Sequence, residues 1–343
     1  MKKRMTTLAT MAVATLALAA CGGGTVEDPG IEEPADGGDT GAETETAEGG
    51  EADGDISIAI VSKGFQHQFW QAVQQGADEA AAELGVSIPF EGPDDESQVD
   101  QQIQMLQTAL DRGPDAIAFA ALDSQAAEPL LQRADDSGIP IIAFDSGVDS
   151  DIPLTTVATD NYAAGGAAAE HMSELIGGEG KVALVVHDQT SVSGTERRDG
   201  FVDWMEENAP DVEIVDIQYG GGDHLESTDI TRSIISAHSD LAGIFGSNEG
   251  SAIGVVNAIN ELNMAGEITV VGFDSGQAQI DAIRGGVMAG AITQNPVNMG
   301  YETVQAAVRA LEGETLDEET DTGYLWYDAD NIDDDEIQAA IYE

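Results

Sequence analysis

From Ile56 onward the chain alternates two hydrophobic rhythms. Ile56 to Val61 is a short, mostly apolar run of strand length, after which Phe69, Val73, Ala77, Ala80 and Leu84 recur at helical spacing. The unit then repeats: Val99, Ile103, Leu106 and Leu110 mark a helix, Ala116–Ala120 a strand, Ala126–Ala134 a helix and Ile139–Phe144 a strand. Further strands are predicted near Val182–Val186, Val212–Ile217, Ala242–Phe245, Ile268–Phe273 and Ala289–Thr293. The helices between and after them fall near Tyr162–Ile176, Glu196–Glu207, Thr228–Ala237, Ser251–Leu262, Gln277–Arg284 and Val297–Leu311. Continuous apolar strands alternating with helices specify an α/β fold of parallel sheets covered on both faces, doubly wound. About ten strands call for more than one sheet.

Polar side chains stand where these strands end. Ser62-Lys63, Asp123, Asp145, His187-Asp188, Asn248, Asp274 and Gln294 each follow an apolar run. In open α/β sheets ligands bind outside the carboxyl ends of the strands, so a polar pocket between two such sheets would need this repetition. Asp, Asn and Ser at a strand–helix junction are also preferred helix caps, and each read alone serves either purpose. Lys63, His187 and Gln294 are not capping residues and remain for the pocket.

The first 54 residues follow neither rhythm. Lys2-Lys3-Arg4, an apolar run from Leu8 to Ala20 and the small residues before Cys21 form a secretory signal over residues 1–20, too short for a permanent membrane helix. Leu18-Ala19-Ala20-Cys21-Gly22 resembles the lipobox of bacterial lipoproteins. The resemblance implies that Cys21, the single cysteine of the chain, is lipidated and holds the protein to the outer face of the cell membrane. The bland alternative is a free thiol after an ordinary cleavage site. Residues 21–54 carry Val26 and Ile31 as their only large apolar side chains, too few for a core. They are expected to form a disordered acidic linker spanning about 30 Å.

The remaining stretch, about 290 residues, is long enough for two packed lobes. The charge of the whole chain is extreme: 65 acidic against 12 basic residues give a formal net of −53. Such a surface repels itself at low salt, and it excludes nucleic acid as a partner, since phosphate binding needs clustered Lys and Arg. An enzyme is not expected either. The five histidines are scattered, no metal-ligand spacing exists, and Gly246-Ser247-Asn248-Glu249-Gly250 has asparagine where a nucleophile elbow needs serine. Gly220-Gly221-Gly222 is read as lacking the strand–turn–helix context of a phosphate loop, and the acidic stretch Asp328–Glu336 lacks the spacing of a calcium loop.

Several segments, in order, resemble the ribose-type (type I) periplasmic sugar-binding proteins, the solute receptors of ABC importers. They are Ile60-Val61-Ser62 with Phe69-Trp70, Gly138 to Asp145, Thr159-Asp160-Asn161, Glu196 to Phe201, Phe245 to Glu249, Val270 to Asp274, and Ala291 to Gln294. The resemblance implies two lobes joined by three hinge crossings near Ala158–Asn161, Thr293–Pro296 and Gly323–Trp326. The N-terminal lobe is then 55–159 plus 295–323, and the C-terminal lobe 160–294 plus 324–343. It also implies a monomer without cofactor that binds a sugar or polyol in the cleft, closes by hinge motion and delivers it to permease subunits.

By position, Phe69 and Trp70 fall on the family's aromatic sandwich, although helix core is the simpler account of one of them. Hydroxyl ligands fall on Asp145, Arg197, Asn248, Asp274 and Gln294, with Phe273 beside them, a set whose donors and acceptors suit a polyhydroxylated ring. Arg197 is the foremost of these; its alternative is an ordinary surface ion pair. Departures are visible. Asp145-Ser146 stands where ribose binders have Asp-Arg, and Ala120 where they have asparagine. Ser62, in the matching segment, is carried as a ligand candidate, whereas Lys63-Gly64 with His67 replaces the usual polar pair of the first loop, and His67 either meets the ligand or caps the first helix. Lys63 with Asp145-Ser146 also looks like receptors for furanosyl autoinducer-type signals, which leaves a signal receptor as the second reading.

Overall fold

The computed structural model describes residues 56–342. The signal segment, Cys21 and the linker lie outside the described residues.

The chain runs β1 (Ile58–Val61), α1 (Gln68–Leu84), β2 (Phe90–Glu91), α2 (Val99–Asp111), β3 (Ala116–Phe119), α3 (Glu128–Asp136), β4 (Ile141–Phe144) and β5 (Thr155–Ala158). It continues through α4 (Asn161–Ile176), β6 (Gly180–Val186), α5 (Val192–Asn208), β7 (Val212–Tyr219), α6 (His224–Ala237) and β8 (Leu241–Gly246). Next come α7 (Glu249–Leu262), β9 (Thr269–Phe273), α8 (Gln277–Arg284), β10 (Gly290–Gln294), α9 (Pro296–Leu311), β11 (Glu319–Asp321), β12 (Tyr324–Asp328) and α10 (Asp335–Gln338).

Two six-stranded sheets result, ordered β11-β5-β4-β3-β1-β2 and β12-β10-β9-β8-β6-β7. Every pairing is parallel except β10 with β12. The chain crosses between the sheets after Ala158, at Asn295 and between Asp321 and Tyr324. The strands that sequence periodicity found are buried along most of their length because helices cover both faces, except β7, which lies at a sheet edge and is only half-buried. Those it did not find lie at or next to a sheet edge: β2 has two residues, β5 is Thr-Thr-Val-Ala, β11 is Glu-Thr-Asp, and β12 pairs with β10. None carries a continuous run of large aliphatic residues. Gly220–Gly222 in fact joins β7 to α6, so the strand–turn–helix context denied to it from sequence is present.

Helix packing sets where the cleft residues stand. Helix α5 begins at Val192, a turn before the apolar pattern starts, because the Ser191 hydroxyl caps the Gly194 amide at 3.1 Å. Helices α4 and α5 cross closely: a Cβ on Gly165 would come within 2.3 Å of the Arg197 carbonyl, and one on Gly200 within 2.0 Å of the Tyr162 carbonyl. Both positions therefore require glycine, and the crossing fixes the backbone that carries Arg197. At the other end of the chain, Tyr342 departs from the 324–343 assignment. Its ring joins the core of the first lobe, 6.2 Å from Phe69, while its hydroxyl accepts the Ser275 amide of the second.

Candidate functional site

The carboxyl ends of β1, β4, β6, β8, β9 and β10 face one another between the two sheets. Lys63, His67, Phe69, Trp70 and Asp145 from the first lobe meet Arg197, Asn248, Asp274 and Gln294 from the second around one cavity. Three other candidates stand behind it. Ser62 donates to the Gly64 carbonyl (3.2 Å), Ser146 accepts the Ser193 amide (3.3 Å), and Phe273 lies beneath the Arg197 guanidinium, 3.8 Å from its carbon.

Arg197 is 3% exposed and makes no ion pair among the described residues. Nε donates to Asn161 Oδ1 (2.8 Å) and Nη1 to the Ser247 carbonyl (3.0 Å), while the Phe273 face supports the plane by cation–π contact. Nη2 has no acceptor among the described residues. The neighbouring Arg198 is the one that pairs with a surface carboxylate, Asp199.

His67 occupies the N-cap position of α1 but makes no side-chain cap bond. Its ring instead bridges the lobes, with Nδ1 3.3 Å from Glu96 and Nε2 donating to the Gly222 carbonyl at 3.0 Å. Burial opposes its charge, yet Glu96, Glu249 and the Gly222 carbonyl outweigh that and lift its pKa to about 9. Glu96 in turn accepts from Trp70 Nε1 (2.8 Å) and Asn248 Nδ2 (3.1 Å). Burial works against its charge too, but His67 and Lys63 hold it well below the usual carboxylate range. Asn248 therefore does two jobs, since its Oδ1 also caps α7 at the Ser251 amide (2.8 Å).

Asp145 contrasts with Glu96. It sits in the left-handed region at φ 56°, and no hydrogen-bond donor reaches its carboxylate among the described residues. Burial, seconded by Glu96 and Asp274, overrides the attraction of Lys63 and Arg197 and raises its pKa to about 6. Asp274, at φ 77°, is well satisfied: Gln294 Nε2 donates at 2.6 Å and the Glu249 amide at 2.8 Å. That leaves Gln294 Oε1 buried with no partner. His187 is kept neutral. Burial first, then Lys63 and Arg197, bring its pKa down to about 3 against the pull of Asp188. The Ser247 hydroxyl accepts the His187 amide (2.9 Å) and shares a second hydrogen bond with the ring at Nδ1 (2.8 Å).

Phe69 and Trp70 do not form the two walls of a sandwich. Their rings meet edge to face, 5.0 Å apart at 86°, and Trp70 is 1% exposed beneath Phe144. Adjacent residues on one helix cannot present parallel faces to opposite sides of a ligand. The helix-core reading holds for Trp70, whose indole also anchors Glu96. The lobes are drawn together across this space, by Lys63 Nζ to Ser193 Oγ (3.2 Å) among other bonds, so that the cavity measures about 10 Å³, room for about one water molecule.

A family described as periplasmic binding protein domain matches residues 58–315. The chain belongs to that family. This periplasmic binding protein has the type I fold, two α/β lobes of mostly parallel sheet. It is 25% identical over 272 residues to a D-ribose/D-allose-binding protein of Pseudomonas aeruginosa, covering 77% of this chain and 85% of that one. It is 26% identical to the D-allose-binding periplasmic protein of Escherichia coli, covering 74% and 83%. Among solved structures, a carbohydrate transporter solute-binding protein of Agrobacterium radiobacter in complex with D-arabinose superposes with a TM-score of 0.82 at 31% identity, over 85% of this chain and 100% of that one. An ABC transporter solute-binding protein of Agrobacterium vitis with bound D-fucose gives 0.81 at 33% identity, over 83% and 100%.

Two cavity-lining residues of this periplasmic binding protein escaped the sequence reading, Glu96 and Ser193. Glu96 follows a two-residue strand in the run Asp94-Asp95-Glu96, where nothing marks one carboxylate out among so many. Ser193 lies in a helical turn that precedes the apolar pattern. His187 was visible, as a strand-end residue that no cap explains.

Proposed function

We propose that this chain is an extracytoplasmic receptor that binds a small sugar in the cleft and delivers it to an ABC permease. The observation that carries this reading is the set of unspent groups at one cavity: the Asp145 carboxylate and Gln294 Oε1 as acceptors, and Arg197 Nη2 as donor. A ring with hydroxyls in several directions both gives and takes such bonds, whereas an apolar solute would strand them all. To enter, it must displace cross-cleft bonds such as Lys63 to Ser193, so the lobes have to part and close again around it.

The relatives support the class, being named for D-ribose, D-allose, D-arabinose and D-fucose. They are named as binding proteins and transport components, which favours import over both the signal-receptor reading and an enzyme. Which sugar fits is a matter for this chain's own residues. Ser146, whose hydroxyl oxygen accepts the Ser193 amide, stands where ribose binders carry arginine, and a serine cannot supply that guanidinium's fork of donors, so ribose itself is disfavoured. The membrane side of the reading rests on sequence: Cys21 supplies the lipid anchor, two or more acyl chains hold it stably, and the acidic linker lets a monomeric body reach the permease.

A thermal-shift screen of the full chain against pentoses, hexoses, polyols, furanosyl signals, amino acids and organic acids tests the class. At least one sugar is expected to raise the transition by several degrees at millimolar concentration, through mass action. Stabilisation by amino or organic acids with none by any sugar would overturn the reading.

A further inference from the structure

Helix α1 begins without a cap of its own. The His67 side chain makes no cap bond, and the first turn carries no acidic residue. The acceptors come from the other lobe: Glu249 Oε1 takes the Gln68 amide at 3.0 Å and Oε2 the Phe69 amide at 3.1 Å. Helix α8 of the second lobe has the converse deficiency, for its N-cap is Gly276. Its Gln277 amide donates to Gln68 Oε1 of the first lobe at 2.8 Å. The approach is close: a Cβ on Gly276 would stand 3.0 Å from both Gln68 Oε1 and the Glu249 carboxyl carbon, and those side-chain ends would have to give by a few tenths of an ångström.

We propose that Glu249 and Gln68 are reciprocal positioning residues, each capping a helix of the opposite lobe, and that this latch holds the cleft closed alongside whatever the ligand contributes. The first amides of a helix have no partner within the helix. When the lobes part, water must serve those of α1 and α8; when they close, fixed acceptors replace it. The latch also reports on the cavity. The Glu249 backbone amide donates to Asp274 (2.8 Å), and the two residues after Gln68 are the cavity-lining Phe69 and Trp70. Glu249 is 3% exposed; burial pushes its pKa up, while His67 and the Gln68 and Phe69 amides that it accepts pull the other way. The proposal relies on the sugar-binding reading only for what the latch retains; the bonds themselves need no ligand.

The test is amide hydrogen exchange at Gln68, Phe69 and Gln277, read by NMR on the full chain. In Glu249→Ala the Gln68 and Phe69 amides should exchange about tenfold faster or more, because a lost acceptor leaves them unpaired. In Gln68→Ala the same should happen at Gln277, with Val255 within α7 unchanged in both. Glu249→Gln keeps one carbonyl acceptor and should restore protection at one of the two α1 amides, which a general loss of structure would not allow. With a sugar that the screen identifies, Glu249→Ala should dissociate about tenfold faster while its association rate stays the same. Unchanged exchange at all three amides, or unchanged dissociation, would overturn the latch. If no sugar binds, the functional reading fails, and the exchange data still decide this one.

Discussion

Arg197→Ala is expected to weaken sugar binding by about a hundredfold or more and to lower unfolding stability by about 3 kcal/mol. The two losses have separate origins. Stability falls because the guanidinium is 3% exposed and its removal leaves Asn161 Oδ1 and the Ser247 carbonyl buried without donors and the Phe273 face uncovered. Affinity falls because Nη2 is the donor left over for a hydroxyl, and because Asp145 and Asp274 then face each other with less positive charge between them. Arg197→Lys should rescue little of either, since an ammonium cannot make two fixed bonds and lie flat on an aromatic ring at once. Titration calorimetry reads the affinity and urea unfolding the stability. Normal affinity in Arg197→Ala would place the ligand elsewhere.

The second large effect concerns Asp145 and pH. Its pKa is raised to about 6 in the folded protein, through burial above all, from an ordinary 3.8. The folded state thus holds the proton more tightly than the unfolded state. The associated stability is full below pH 4 and is lost as pH rises through 6, a change of about 3 kcal/mol. Asp145→Asn, which mimics the protonated form, should therefore match the unchanged chain at pH 4 and exceed it by that amount at pH 7. Comparing the two proteins also cancels the opposing titrations of His67 and His187. Sugar hydroxyls donating to the carboxylate would favour its charged form, so binding near pH 6 should release protons, which calorimetry in buffers of different ionisation enthalpy detects. An equal stability difference at both pH values would show that Asp145 does not carry this proton.

How far the chain could be read in advance depends on what each residue has to do. Strands such as Ile141–Phe144 are covered on both faces and advertise themselves as apolar runs, so the two-sheet α/β architecture and the family were legible. The edge strand β11 and its neighbour β5 are partly wet and carry no such mark. Site residues at the ends of central strands were legible for the same reason, because the strand before them fixes where they point. Asp145 and Asp274 even adopt positive φ there, a conformation no cap requires. What sequence could not reveal were contacts made by closure. Glu96 reaching Asn248, His67 reaching Gly222 and Glu249 reaching α1 join residues far apart in the chain, through loops whose course no periodicity records. The aromatic pair failed for a different reason: neighbouring aromatic residues on a helix diverge, and only one can face a ligand squarely.

On the proposed function a sugar ring occupies the cavity between Asp145, Arg197 and Gln294. A crystal structure of the full chain grown with the sugar that gives the largest thermal shift tests it most directly. The expected result is one ring between the lobes, with hydroxyls on the Asp145 carboxylate, Gln294 Oε1 and Arg197 Nη2. A sugar bound outside the cleft, or inside it with those three groups still unpartnered, would contradict the account.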